Sequence, residues 1–291
     1  MSLRSIARLL VPRPLRIELL RLKRLPAWFV ETPTIARMRL AETERSAFGT
    51  LLARHGSPLQ RAPGEVPSAL QEGKERNVSV AARSIDWLMV RPYEIFSYHR
   101  TVGRPSRLRG FRMGLELHDG KLSRGLGGGC CQVSNMLYLL ALRSGMKITE
   151  RFRHGSDLFP DHGRTVPFGC GATIFYNYAD LRFENPLPQP IVLRLCVVDQ
   201  YLVGEIWATA DPGWKAEIYE ADQRRYLVRG AWIRENWIRR RFVRADGSVM
   251  LDQEVAHNRA RILYAMPERS DEDRAELAIG SEEPGRCSAP L

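Results

Sequence analysis

A chain of 291 residues that is 44% hydrophobic and 26% charged can bury a substantial core, and reads as one large or two modest globular domains. Its 44 basic and 33 acidic side chains leave a net charge of +11 and an isoelectric point near 9.8, which predicts attraction to polyanions such as anionic lipid or phosphate- and carboxylate-bearing precursors. Five cysteines, odd in number and irregular in spacing, exclude a disulfide framework. No apolar run approaches the ~20 residues that cross a bilayer, and Pro12 and Pro14 interrupt the only candidate leader.

These features give the expectation of a reducing, cytoplasmic compartment, with peripheral membrane attachment as the variant. The excess charge is largely arginine, so arginine-rich coding explains its average as well as function does. A nucleic-acid role rests on charge alone, has no motif behind it and is not expected.

In chain order, residues 1–54 read as a basic, helical N-terminal region. Residues 1–25 carry seven cations and one glutamate among Leu and Ile, the composition of short amphipathic helices that pack on the domain or lie on an anionic membrane. Thr32-Pro33 resembles an N-cap followed by proline, predicting a helix through Ile35, Met38, Ala41 and Phe48 to about Leu52. Residues 55–75 read as a linker. The core, 76–212, opens with a helix capped by Asn77, with Val78, Ala81, Ile85 and Leu88 at helical spacing, and Glu94 to Val102 is expected to be extended. Asp119-Gly120 marks a hairpin over Leu115 to Leu122 that delivers the chain into Gly127-Gly128-Gly129.

After this glycine loop an apolar helix begins at Cys131 and runs to a glycine cap at Gly145. Cys131 then lies in a first turn, where free N–H groups and the helix dipole favour a thiolate and can stabilise an oxyanion. Lys147 to His154 alternates as a strand, with His154 on the apolar side, and the short connection at Gly145 returns that strand towards the start of the helix. Cysteine at a helix start with histidine brought alongside is the arrangement papain-like and transglutaminase-like enzymes use for a nucleophilic thiolate. The plainer reading is a small buried cysteine and a structural histidine. The loop 155–171 follows, then strands over 172–178, 181–183, 191–197 and 201–207. The fold class expected is α+β: an antiparallel sheet on a central helix that starts with cysteine, N-terminal helices, and a small β-rich C-terminal appendage over 213–266. That appendage interleaves eight arginines between 224 and 244 with Trp232, Trp237 and Phe242, and residues 267–291 form an acidic tail expected to be disordered.

Gly127-Gly128-Gly129-Cys130-Cys131-Gln132-Val133-Ser134-Asn135 resembles the signature of the VanW family. The likeness extends from about Asn77 to Trp207 through Glu94-Ile95-Phe96-Ser97, Glu150-Arg151, His154, Val166-Pro167-Phe168-Gly169, Gly171-Ala172-Thr173 and Asp180-Leu181-Arg182-Phe183-Glu184-Asn185. Gly171 stands where most of the wider family has Asp. The family name implies a link to cell-wall precursors or glycopeptide antibiotics but supplies no reaction. The resemblance adds Gly127, Gly128, Gly129, Gln132, Ser134 and Glu94 as substrate-binding candidates.

Two functions follow. In the first, Cys131 attacks an amide in a wall-related or peptide substrate, His154 is the base, and the N–H groups of Cys131 and Gln132 hold the oxyanion. Asp180 then orients His154, with Asp157 and Asp161 as alternatives. In the second, the protein is a non-catalytic module holding an anionic precursor at the glycine loop. A metal site from Cys130, Cys131, His154, His162 and Cys170 lacks paired Cys-x-x-Cys spacing, so neither metal nor cofactor is expected.

Overall fold

The helix Cys131–Arg143 is apolar nearly all round, and Val133, Leu137, Tyr138, Leu140 and Leu142 have no solvent exposure. Such a helix must be covered on every side. The structure, a computed structural model, describes residues 13–26, 30, 34–60, 67–118, 121–157, 160–161 and 165–265. It covers one side of the helix with an antiparallel sheet in the order Thr50–Pro58, Tyr201–Ala208, Ile191–Val198, Leu88–Val90. Gly204 lets that sheet come close: a Cβ there would lie 2.8 Å from Leu140 Cδ1 and 2.9 Å from Met136 Cγ. On another side Leu139 packs with Ile238 and Ala256 of a second sheet, in which Lys215–Val228, Ala231–Val243 and Val249–Ile262 pair antiparallel and the short Ser156–Asp157 adds to the last in parallel. A third sheet joins Ile95–Ser97, Arg182–Glu184 and Lys147–Glu150. The class is α+β, as the sequence predicts.

The helix ends where Gly145 turns with φ +78° and Met146 N–H donates to Ala141 O. Trp214 closes over that glycine so tightly that a Cβ would lie 2.4 Å from its ring. Arg240, buried in the second sheet, donates to Met146 O at 2.8 Å and so brings a cation to the negative end of the helix. Burial pulls this guanidinium down to about 10. The β-rich appendage expected over 213–266 packs on the helix along 215–262, where its inner face supplies the helix's C-terminal cover and cap. Arg234, equally buried, pairs with Asp157 and Asp161, tying this sheet to the loop after His154.

Several expected elements differ. Residues 35–41 are extended rather than helical, because Ala36 N–H, Leu40 N–H and Met38 O pair with the backbones of Ile95, Trp87 and Met89. These pairings outweigh helical spacing, and only Glu42–Ala47 forms a 3₁₀ turn. Thr50–Pro58 is an edge strand, so the expected linker begins as core sheet. The next helix starts at Ser68, leaving Asn77 in its middle rather than at its cap. Within Glu94 to Val102, only Ile95–Ser97 is a strand, followed by a helical turn Tyr98–Val102 capped by Ser97. Residues 172–178 make isolated bridges instead of a strand, because the chain doubles back at Asn177, where Phe175 pairs with Ala179. The hairpin Met113–His118 with Lys121–Leu126 forms as expected. Its Asp119-Gly120 turn, residues 1–12, His162, and the tail expected to be disordered with Cys287 lie outside the described residues.

Asn77 has a larger part than a cap. Fully buried, it accepts from Arg112 N–H at 2.8 Å and donates to Arg112 O at 3.0 Å and Gly128 O at 2.9 Å, clamping hairpin and glycine turn onto its helix. Replacing it leaves buried backbone groups unmatched. Asn77→Ala is expected to cost about 2–3 kcal/mol in urea unfolding, and an unchanged midpoint would refute the clamp.

Candidate functional site around Cys131

The glycine turn is built by close contact with its own chain. A Cβ on Gly127 would lie 2.7 Å from Pro105, one on Gly128 2.4 Å from Gly114 O, and one on Gly129 2.3 Å from Lys74. Positive φ at Gly127 and Gly129 adds a conformational reason. The N–H groups are occupied too: Gly127 donates to Arg112 O, Gly128 to Gly125 O, Cys130 to Gly127 O and Gln132 to Gly129 O. The glycines therefore serve packing, and the Gln132 N–H expected to hold an oxyanion already has an acceptor.

Cys131 opens the helix and keeps part of its surface, while Cys130 beside it is buried and its thiol is pushed up to about 12 by desolvation. Burial also raises the Cys131 thiol; the backbone N–H of Ile174, directed at the sulfur, opposes this, and the Glu116 carboxylate adds to it. The expected dipole-stabilised thiolate is thus a thiol at rest, because desolvation outweighs the donors around it.

His154 comes to the helix one turn further on. Its Nε2 lies 3.3 Å from Asn135 Oδ1, and its Nδ1 lies 2.9 Å from Thr173 Oγ1. Asn135 Oδ1 also accepts Ala172 N–H at 2.8 Å, which fixes the carboxamide with its oxygen inward. An oxygen facing Nε2 requires Nε2 to carry the proton, so the Thr173 hydroxyl donates to Nδ1. Burial, and then the Arg151 charge, hold His154 below the usual imidazole range. Arg151 itself is tied to Gly171 O and Asn258 and lies 4.6 Å from the Tyr138 ring. At neutral pH the pair is a neutral thiol and a neutral imidazole, with the consecutive residues Thr173 and Ile174 facing one member each.

Asp180 does not orient His154, whose two nitrogens are already engaged. It is buried on another polar cluster, accepting from Ser97 Oγ at 2.6 Å, His99 N–H at 3.0 Å and Arg182 Nε at 3.0 Å. Asp157 and Asp161 answer Arg234, as described above. Ser134 Oγ donates to Ala172 O at 2.7 Å, and Gln132 Nε2 donates to Ser57 Oγ at 2.9 Å and Pro58 O at 2.8 Å, so both anchor neighbouring segments to the helix. Glu94 accepts Arg91 N–H and closes a turn. The structure thus brings Cys131, His154, Ser134 and Gln132 to one helix end and leaves Asp180 and Glu94 elsewhere. Asn135 and Thr173 join the site without having been singled out. The signal for Asn135 was its place four residues after Cys131, on the same helix face. Thr173 offered none, since its approach depends on the long-range bridge to Phe152. Gly171 makes room for Asn135: a Cβ there would lie 2.7 Å from its Oδ1. Among the described residues no three His, Cys, Asp or Glu side chains converge on a metal-sized site, and no helix is long and apolar enough to cross a membrane.

The His154 shift has a pH consequence. His154 binds its proton more weakly in the folded chain than in the unfolded one, so its contribution to stability is present above ~6.5 and is lost as pH falls below that value. Urea unfolding between neutral and mildly acid pH is expected to show this slope, with His154→Gln flattening it; an equal slope in the variant would contradict the assignment.

A family model described as VanW like protein matches residues 73–207. The chain is 36% identical over 126 residues to YoaR of Bacillus subtilis (strain 168), described as an uncharacterized protein. That match covers 42% of this chain and 39% of the relative, so the chain spans about two fifths of YoaR. It is also 27% identical over 202 residues to the Vancomycin B-type resistance protein VanW of Enterococcus faecalis (strain ATCC 700802 / V583), covering 69% of this chain and 74% of that one. No solved structure matches the chain. The matched region runs from the helix that clamps the glycine turn to the end of the first sheet and contains Cys131, Asn135, His154 and Thr173, so residues 73–207 form a VanW-like region of the chain.

Proposed function

We propose that the VanW-like core is a cysteine-dependent acyl-transfer unit that acts on an amide of a cell-wall-related or peptide substrate. The observation that carries this reading is the hold of Asn135 on His154 one helical turn from Cys131. A histidine with a fixed tautomer beside a thiol is what general-base activation of cysteine needs. The link to the wall rests on the name of the Enterococcus faecalis relative, which associates that protein with vancomycin resistance.

In this reading the thiol and imidazole begin neutral. As Cys131 sulfur forms a bond to the substrate carbonyl carbon, its proton passes to Nδ1 of His154, from which the Thr173 hydroxyl withdraws. The carbonyl oxygen becomes an oxyanion, and the N–H groups of Cys131 and Ile174 are the donors nearest the sulfur. Collapse breaks the C–N bond, the imidazolium returns the proton to the leaving amine, and a thioester remains on Cys131. Water or a second amine then attacks that thioester and regenerates the thiol. The alternative, an anion held by the glycine loop, is less well supported because the N–H groups of Gly127, Gly128 and Cys130 already have acceptors within the chain.

p-Nitrophenyl acetate followed by peptide mass spectrometry tests the reading without a known substrate. The expected result is an acetyl thioester on Cys131, none on buried Cys130, and acylation slowed at least ~100-fold in His154→Gln. Labelling of Cys131 that is indifferent to His154, or confined to half-buried Cys196, would overturn it.

A further inference from the structure

Three leucines of the first described helix, Arg13–Lys23, face the solvent. Leu15, Leu19 and Leu22 are 52%, 46% and 57% exposed, and their spacing puts them on one stripe. The helix is held by its other side. Arg21 Nε donates to Tyr176 O at 3.0 Å, Asn177 Nδ2 donates to Arg21 O at 2.6 Å, the Arg21 guanidinium lies 5.0 Å from the Phe175 ring, and Arg24 pairs with Glu150. A surface helix of a globular domain ordinarily packs its apolar stripe and offers its cations to water. Here Arg21 and Arg24 are spent on docking, and Leu15, Leu19 and Leu22 are left outside.

A second exposed apolar side chain stands among cations. Leu108 is 101% exposed at the tip of the turn Arg107–Arg109, which Gly110 closes in the left-handed conformation. From His99 to Arg112 the chain carries Arg100, Arg104, Arg107, Arg109 and Arg112 and no acid. An open concavity of about 470 Å3, lined by Arg37, His99, Arg100, Gly103 and Tyr176, borders both: the helix is docked on Tyr176 through Arg21, and the arginine turn reaches Gly103 through Arg109. The Arg109 guanidinium lies over Gly103.

We propose that this face, Leu15, Leu19 and Leu22 with the arginine turn at Leu108, docks on an anionic lipid surface. Leucines would enter the headgroup boundary while the arginines meet lipid phosphates, the two contributions that hold interfacial helices. Charge favours lipid over another protein's apolar groove: residues 1–25 carry seven cations against one glutamate, and that glutamate, Glu18, is paired with Arg21.

The test is co-sedimentation of the full chain with phosphatidylcholine vesicles, with and without phosphatidylglycerol. Binding is expected only with the anionic lipid, and should weaken as salt rises. It should fall at least about tenfold when Leu15, Leu19 and Leu22 are all changed to Gln, a residue that keeps helix propensity, and again in Arg107→Gln/Arg109→Gln. Equal binding to neutral vesicles, or binding unaffected by the leucine changes, would overturn the proposal. So would concentration-dependent self-association in analytical ultracentrifugation that the leucine changes abolish while no vesicle binding is seen, which assigns the face to a second copy.

Discussion

One carboxamide oxygen organises the candidate site. Asn135 Oδ1 accepts the backbone N–H of Ala172 and the ring of His154, and thereby fixes a loop and a side chain that are distant in sequence to the first turns of the cysteine helix. The loop's position carries Thr173 and Ile174 with it, so the partner of His154 Nδ1 and the donor aimed at the Cys131 sulfur both follow from that anchor. Gly171 is what lets the carboxamide approach. A side chain there would have to displace either the loop or Asn135.

The same economy appears at both helix ends. At the start, Asn77 clamps a glycine turn that has no room for a single Cβ against Pro105, Gly114 and Lys74, so the position of Cys131 is set by close packing around that turn. At the finish, Arg240 and Trp214 from the second sheet close over Gly145 and Met146. A helix so confined cannot shift along its axis without breaking contacts at each end, and that fixes its first residue relative to His154. The confinement also desolvates the thiol, which explains why the helix dipole does not leave a thiolate: the cost of burying a charge exceeds the partial charge of one helix turn.

Much of this was legible in the sequence where the signal was local. The apolar helix from Cys131 to a Gly145 cap, the hairpin before it, and the strands over 191–197 and 201–207 follow from periodicity and turn residues. The approach of His154 followed from a short connection. What was not legible depended on long-range backbone pairing or on polar side chains acting at a distance. Residues 35–41 have helical spacing but pair with the edges of two strands, and Asn77 looks like a cap but is a buried clamp. Asp180 stands at the head of a strand, yet its oxygens are taken by Ser97, His99 and Arg182, a choice that no spacing encodes. The arginines between 224 and 244 alternate as a solvated strand face does, but Arg234 and Arg240 point inward because buried acceptors await them.

Asn135 holds His154 as the neutral tautomer with its proton on Nε2, leaving Nδ1 to face the Thr173 hydroxyl. Long-range proton–nitrogen correlation NMR of the uniformly labelled protein reads this directly, with His154→Gln assigning the signal. At neutral pH the account predicts a protonated, pyrrole-type Nε2 and an unprotonated Nδ1 for His154, and loss of that single-tautomer pattern in Asn135→Ala. A proton on Nδ1 at neutral pH, a fully charged imidazolium, or a pattern untouched by removing Asn135 would contradict it.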